Sequence, residues 1–146
     1  MKNQIKTMFN SIYQEYDLIN NFITFGLHKN WKKQVVDISK SLNPKRILDV
    51  ATGTADIAIA LTKIKNCEII GMDLSSNMLD IGDKKIKDLG LQQSVILELG
   101  DVENLEYNDN YFDVVTVGYG VRNFENLKKS LDEIYRVLKK NGTLII

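Results

Sequence analysis

Apolar residues recur along this chain in two rhythms, and the change between them falls near residue 44. Before it, Phe9, Ile12, Tyr13 and Tyr16 follow i, i+3, i+4, i+7 spacing, which is one face of a helix. Trp31, Val35 and Ile38 repeat that spacing in a second helix expected over His28–Ser41. Asn43-Pro44 closes it, because proline drives its predecessor out of helical geometry. From Lys45 onward, short apolar runs alternate with amphipathic segments. Arg46–Val50, Cys67–Met72, Ser94–Leu99, Tyr111–Val117 and Thr143–Ile146 read as strands. Between them, Asp56–Ile64 sets Ile57, Ala60, Leu61 and Ile64 on one helix face. A further helix is capped by Ser75 or Ser76 and closed by Leu89-Gly90. Asn126–Leu138 is expected to bury Leu127, Leu131, Ile134, Val137 and Leu138. Asn141-Gly142 reads as the turn into the last strand.

Strict strand–helix alternation after a helical prefix predicts an α/β fold, an open parallel sheet with helices on both faces. Val114, Val115 and Val117 agree with this, since a strand covered on both faces is apolar nearly throughout. The chain reads as one domain: a helical cover over 1–43 and an α/β core over 44–146. The fifth strand has barely begun when the sequence stops, so C-terminal strands are expected to be missing.

Charge and composition narrow the function. Nineteen Lys and Arg balance nineteen Asp and Glu, where a nucleic-acid binder would show a basic excess. No run of apolar residues reaches the length that crosses a bilayer as a helix, and the first residues lack the apolar stretch of a secretory leader. The single cysteine, Cys67, excludes an internal disulfide and reads as a small buried hydrophobe. No His, Cys and acidic residues stand at metal-ligand spacing, so no metal is expected.

In an open parallel sheet, ligands bind beyond the carboxyl ends of the strands, beside the first strand. Three features converge there. The first is the turn Asp49-Val-Ala51-Thr-Gly53-Thr54-Ala55-Asp56, whose small residues admit a ligand close to the backbone at a helix N-terminus. The second is Asp73, ending the second strand, where a carboxylate can accept both hydroxyls of a ribose. The third is Gly100-Asp101-Val102 after the third strand, an acid and a backbone amide suited to an adenine edge. Each alone has a plain alternative: tight packing for the turn, helix capping for Asp73, an ordinary loop carboxylate for Asp101. As an ordered set they point to an adenosine-containing ligand. A dinucleotide wants G-x-G-x-x-G, and here those places hold Ala51, Gly53 and Asp56, the last an anion where phosphates would sit. No Walker motif is present. S-adenosylmethionine carries no phosphate and has a cationic sulfonium and ammonium, so Asp49 and Asp56 suit it better.

With these residues in place, the sequence resembles the class I methyltransferases, and more narrowly the ubiquinone/menaquinone C-methyltransferase family. The stretch from Tyr16-Asp17 through Asn20 to His28-Lys-Asn-Trp31 is similar to that family's N-terminal signature, Y-D-x-[MI]-N followed by H-x-x-W. Gly118-Tyr-Gly-Val-Arg122-Asn123 resembles its segment after the fourth strand, and Arg136 to Gly142 its second signature. The chain departs from the family where Ala51, Thr52 and Ala55 replace frequent glycines, and where Lys139-Lys-Asn-Gly142 replaces lysine-proline-glycine-glycine. The resemblance implies a Rossmann-like sheet of order 3-2-1-4-5 and S-adenosylmethionine contacts from Thr54, Asp73, Asp101, Val102 and Gly118. It implies methyl transfer to a ring carbon of a prenylated naphthoquinol, with a benzoquinol precursor or another small molecule, or an inactive truncated fragment, as the alternatives. Arg122 is then the candidate for stabilising the phenolate or orienting a water base, Asn123 for orienting it, and His28 for a catalytic or bridging role. Tyr16, Phe25, Trp31 and Tyr119 are candidates for an apolar slot around the ring. A cytoplasmic protein, a homodimer and transient contact with the inner membrane face follow from the same resemblance.

Overall fold

The computed structural model describes residues 27–146; the expected helix around Phe9–Tyr16, and Phe25, lie outside them. Helix α1 spans Leu27–Ser41, and Asn43, at φ 50°, turns the chain left-handed to end it ahead of Pro44. Strand β1 (Arg46–Val50) follows, then α2 (Asp56–Leu61), β2 (Glu68–Asp73) and α3 (Ser76–Asp88). Strands β3 (Val95–Leu99) and β4 (Phe112–Val117), a 3-10 turn (Tyr119–Asn123), α4 (Leu127–Val137) and β5 (Leu138–Ile145) complete the order. The five strands form one sheet in the order β3-β2-β1-β4-β5. Every neighbouring pair is parallel. This is the architecture the alternation predicts.

Pleating sends alternate residues of each strand to opposite faces, and each face has its own core. Ile47, Ile69, Val95 and Val114 pack under α1, α2 and α3, with Val35, Ala58, Leu61 and Ile86. Leu48, Val50, Met72 and Val115 face α4 and the loop after β3, with Leu105, Phe112, Ile134 and Val137. Ser75 caps α3 by accepting the Met78 amide at 3.3 Å, and Asn126 caps α4 by accepting the Lys129 amide at 3.0 Å.

The structure corrects several boundaries and faces. α2 is shorter than Asp56–Ile64, because the amides of Thr62, Lys63 and Ile64 donate three residues back and tighten the chain into a 3-10 exit. α4 buries Ser130, Ile134 and Val137, whereas Leu127, Leu131 and Tyr135 form an adjacent exposed strip. The apolar stripe is wider than the surface the sheet covers, so one edge of it faces out. Ile38 is likewise half exposed, and Val36 and Ser39 take the buried side of α1. The Asn141-Gly142 turn lies inside β5 as a register shift: Phe112 pairs with Leu138, but Val114 pairs with Thr143. Below the sheet, Asp113 accepts the amides of Lys45 at 2.8 Å and Arg46 at 3.0 Å, and the Lys139 ammonium at 3.0 Å. Burial pushes Asp113 up, but those three donors outweigh it and hold its carboxyl below the usual range.

Ser39 is fully buried, and its Oγ has no hydrogen-bond partner among the described residues. Ser39→Ala is therefore expected to stabilise the fold by about 1 kcal/mol, since it removes an unsatisfied buried hydroxyl. Urea unfolding checks this, and a loss of stability would show that the hydroxyl is satisfied.

Candidate cofactor site

The carboxyl ends of β1, β2, β3 and β4 make one rim. At the β1 end, Ala51 (φ 54°), Gly53 (φ 59°) and Ala55 (φ 72°) all adopt left-handed backbone. Glycine takes this geometry freely, but each alanine bears a cost of roughly 1–2 kcal/mol. Ala55 occupies the N-cap position of α2 with no side-chain cap. Hydrogen bonds from three directions hold the turn. The Thr52 amide donates to the Met72 carbonyl at 2.9 Å, the Gly53 amide donates to Asp73 Oδ2 at 2.8 Å, and Lys85 Nζ donates to Thr54 Oγ1 at 2.8 Å.

Asp49 lies beneath this turn, 1% exposed. Its two oxygens accept hydroxyl protons from Thr52 at 2.7 Å and Thr116 at 2.6 Å. Burial pushes its carboxyl up to about 6, against the pull of those two hydroxyls. Asp49 thus shapes the turn from below and does not face the rim. Asp56, expected to set a negative charge at the helix start, forms an ion pair with Lys85 at 3.1 Å. The site is accordingly less anionic than the sequence implies, and the charge argument against a phosphate-bearing ligand is weaker than it reads from sequence.

Asp73 ends β2 where a carboxylate can serve a ribose. Oδ2 accepts the Gly53 amide, and Oδ1 accepts the Ser75 amide at 2.9 Å. Burial raises its carboxyl, and these backbone amides counter part of the rise. The Leu74 backbone amide acts on the same carboxylate, so three amides already draw on its four acceptor positions. At the β3 end, Asp101 Oδ1 accepts the Glu103 amide at 2.9 Å. Val102 is buried, with its side chain in the α4-side core, so what it can offer a ligand is its backbone.

Gly118 follows β4. A Cβ there would lie 3.1 Å from Ile57 Cδ1 and 3.4 Å from Trp31 Cη2, so packing of α1 and α2 against the strand end accounts for this glycine. Trp31 is half-buried there and packs on the α1–α3 core. A Cβ on Gly120 would overlap the Ala51 methyl, so the turn after β4 sits directly on the turn after β1. Arg122 is exposed on that turn and Asn123 is half-buried beside it. His28 falls in the first turn of α1. The rim therefore gathers Gly53, Thr54, Asp73, Asp101, Val102 and Gly118, with Asp49 below it. Cys67, just before β2, is half-buried, and burial pushes its thiol up to about 11, which leaves it a poor nucleophile. Among the described residues, no group of three or more His, Cys, Asp or Glu could hold a metal ion.

Three participants escaped the sequence reading. Thr116 is a polar residue inside an otherwise apolar buried strand, a pattern that demands a hydrogen-bond partner. Glu103 is buried and accepts the Asn126 amide at 2.8 Å, tying the loop after β3 to the start of α4. Lys85 stands one turn after Gly82, and a glycine within a helix signals close approach of another segment.

Known proteins share this arrangement. A putative S-adenosyl-L-methionine-dependent methyltransferase from Methanococcus maripaludis superposes with a TM-score of 0.82 at 25% identity, over 92% of this chain and 61% of its own. A SAM-dependent methyltransferase from Aquifex aeolicus shares the fold with a TM-score of 0.76 at 21% identity, over 92% of this chain and 70% of its own. Proteins named demethylmenaquinone methyltransferase are 40% identical over 98% of this chain in Bacteroides fragilis and over 99% in Thermotoga maritima. The chain spans 59% of the first relative's length and 61% of the second's. The model of the ubiE/COQ5 methyltransferase family matches residues 1–146 without interruption. A parallel sheet of class I methyltransferase order, with a turn and two acids at three consecutive strand ends, is the frame that match requires, and the chain belongs to the ubiE/COQ5 methyltransferase family.

Proposed function

We propose that this chain carries the cofactor site of an S-adenosylmethionine-dependent demethylmenaquinone methyltransferase, which methylates a ring carbon of demethylmenaquinol to give menaquinol. The carrying observation is the identity of 40% with proteins of that name, over nearly the whole chain and with the rim residues in place. The donor set fits the cofactor: Asp73, a carboxylate at the end of β2, serves the ribose hydroxyls. Asp101 and the Val102 backbone serve the adenine. Gly53, Thr54 and Gly118 serve the amino-acid end, and Asp49 supports them from below.

When bound, the cofactor supplies an electrophilic methyl on a cationic sulfur. The protein's task is to align the ring carbon with that methyl and to raise the carbon's electron density. Arg122 does the second by stabilising a phenolate oxygen of the quinol, and Asn123 orients that oxygen. The carbon–methyl bond would form as the methyl–sulfur bond breaks and sulfur keeps that electron pair as a neutral thioether, while the ring C–H proton would leave through water at the rim or through His28. Trp31 walls the ring. Residues 44–146 serve as the cofactor-binding core of one domain. The reading places the protein in the cytoplasm, as a homodimer that meets its prenylated substrate by peripheral contact at the inner membrane face. Among the described residues, no helix is long and apolar enough to cross a membrane.

Methyl-labelled S-adenosylmethionine, offered with demethylmenaquinol or with the corresponding benzoquinol, tests this. Label is expected in the naphthoquinol, and Arg122→Ala is expected to slow its appearance about 100-fold with cofactor affinity held. Labelling of the benzoquinol alone would reassign the substrate. Cofactor binding without transfer to either would confine the chain to the cofactor half of the reaction.

A further inference from the structure

The turn after β1 holds two alanines in left-handed geometry, and α2 begins on one of them with no side-chain cap. Its shape must come from outside, and α3 supplies one wall. Gly82 and Lys85 are three residues apart and share one face of that helix. A Cβ on Gly82 would lie 2.8 Å from Leu97 Cδ1 of β3, 3.1 Å from Ala55 Cβ and 3.2 Å from the Thr54 carbonyl oxygen, so the missing side chain lets α3 approach both β3 and the turn. One helical turn onward, Lys85 Nζ donates to Thr54 Oγ1 at 2.8 Å and to Asp56 Oδ1 at 3.1 Å. Thr54 is buried, and the Lys85–Asp56 pair is about one-third exposed on each side. By contrast, Lys84, the next residue round the helix, makes only a solvent-exposed pair with Asp88.

We propose that Lys85 is a positioning residue for the cofactor: its ammonium fixes Thr54 and Asp56, and so fixes the turn that receives the cofactor's amino-acid end. This rests on the cofactor assignment above. The same helix begins at Ser75, whose amide holds Asp73. α3 therefore connects the ribose acceptor at its start to the turn clamp near its end. The ribose acceptor depends on Lys85 less, because Asp73 is held by the Ser75 amide, with Leu74 also acting on it, as well as by Gly53 of the turn. The clamp thus governs one end of the ligand more than the other.

Two probes separate the ends. S-adenosylmethionine has the amino-acid tail, and adenosine lacks it. Calorimetric titration of the full chain is expected to show that Lys85→Met weakens S-adenosylmethionine binding about 10-fold and leaves adenosine within about twofold. Lys85→Arg is expected to recover most of the loss, and Lys84→Met to change neither affinity. Equal loss of both ligands in Lys85→Met would make Lys85 a scaffold residue and overturn the proposal, as would undiminished S-adenosylmethionine binding. If Lys85→Met does not fold, Asp56→Asn, which weakens one of the two contacts, is expected to show the same selective loss in smaller measure, and equal affinities there would overturn the proposal. Wild-type protein that binds neither probe would overturn the cofactor assignment itself, and the clamp with it.

Discussion

Asp73→Ala is expected to raise the dissociation constant for S-adenosylmethionine at least 100-fold. The carboxylate accepts the Gly53 and Ser75 amides, the Leu74 amide also acts on it, and in the proposed role it accepts two ribose hydroxyls as well. Hydrogen bonds to a charged acceptor contribute about 1.5–3 kcal/mol each, so losing two costs about 3 kcal/mol or more, which is roughly 100-fold in affinity. The variant also leaves the Gly53 amide without its acceptor in the middle of the turn, which loosens the backbone beside the ligand. Asp73→Asn keeps one carbonyl acceptor and is expected to fall between, near 10-fold. Calorimetric titration measures both, with urea unfolding alongside to separate lost binding from lost fold. An alanine variant that stays folded and binds within threefold of wild type would remove Asp73 from the ribose role.

The second large effect concerns pH. Burial raises the Asp49 carboxyl to about 6, well above its value in an unfolded chain. The native state therefore holds this proton more tightly than the unfolded state does. The resulting stabilisation is complete below about pH 4 and is lost as pH rises through about 6. Above that, keeping the charge beneath the turn costs on the order of 3 kcal/mol relative to the protonated form. Asp73, also raised by burial, contributes with the same sign. Asp113 and Glu133 are held below the usual carboxylate range, so their contribution has the opposite sign and is lost as pH falls through their native values. Stability is therefore expected to peak near about pH 4, to fall between about pH 4 and 6, and to level off above about pH 7.

Asp49→Asn removes the upper decline. Thr52 and Thr116 both donate to Asp49, so one hydroxyl must turn when an amide nitrogen replaces an oxygen, at a cost of about 1 kcal/mol. The variant is then expected to be about 2 kcal/mol more stable than wild type at pH 8 and no more stable at pH 4. Urea unfolding across that range tests this. Parallel pH profiles for the two proteins would show that Asp49 does not titrate as its burial demands.

Much of the fold is legible because period and punctuation agree. Ser75 or Ser76 is readable as a cap, and the structure shows Ser75 accepting the amide of Met78, three residues on. Asp73 and Asp101 were readable as rim acids because parallel topology sends every strand's carboxyl end to one side. What escaped depends on long-range partners. No periodicity distinguishes the covered edge of the α4 stripe from its open edge, so Leu127 and Leu131 looked buried. Asp56 read as an anion at a helix start, because its partner Lys85 lies 29 residues away. The burial of Asp49 was not legible, because the hydroxyls that enclose it come from the turn and from another strand. The local rules place elements, and the pairings across the sheet and between helices decide which side chains remain for chemistry.

The left-handed alanines have a consequence for the thermodynamics of binding. With glycine in those places, a free turn would sample many backbone states, and a ligand that ordered it would have to offset the entropy of those lost states. Ala51 and Ala55 have fewer alternatives, and in this fold they already stand at φ 54° and 72°. The ordering cost has thus been transferred from binding to folding: the chain carries it once, as backbone strain, whenever it folds. A turn set this way meets its ligand preorganised, and its binding entropy should be less unfavourable than that of the same turn built from glycine.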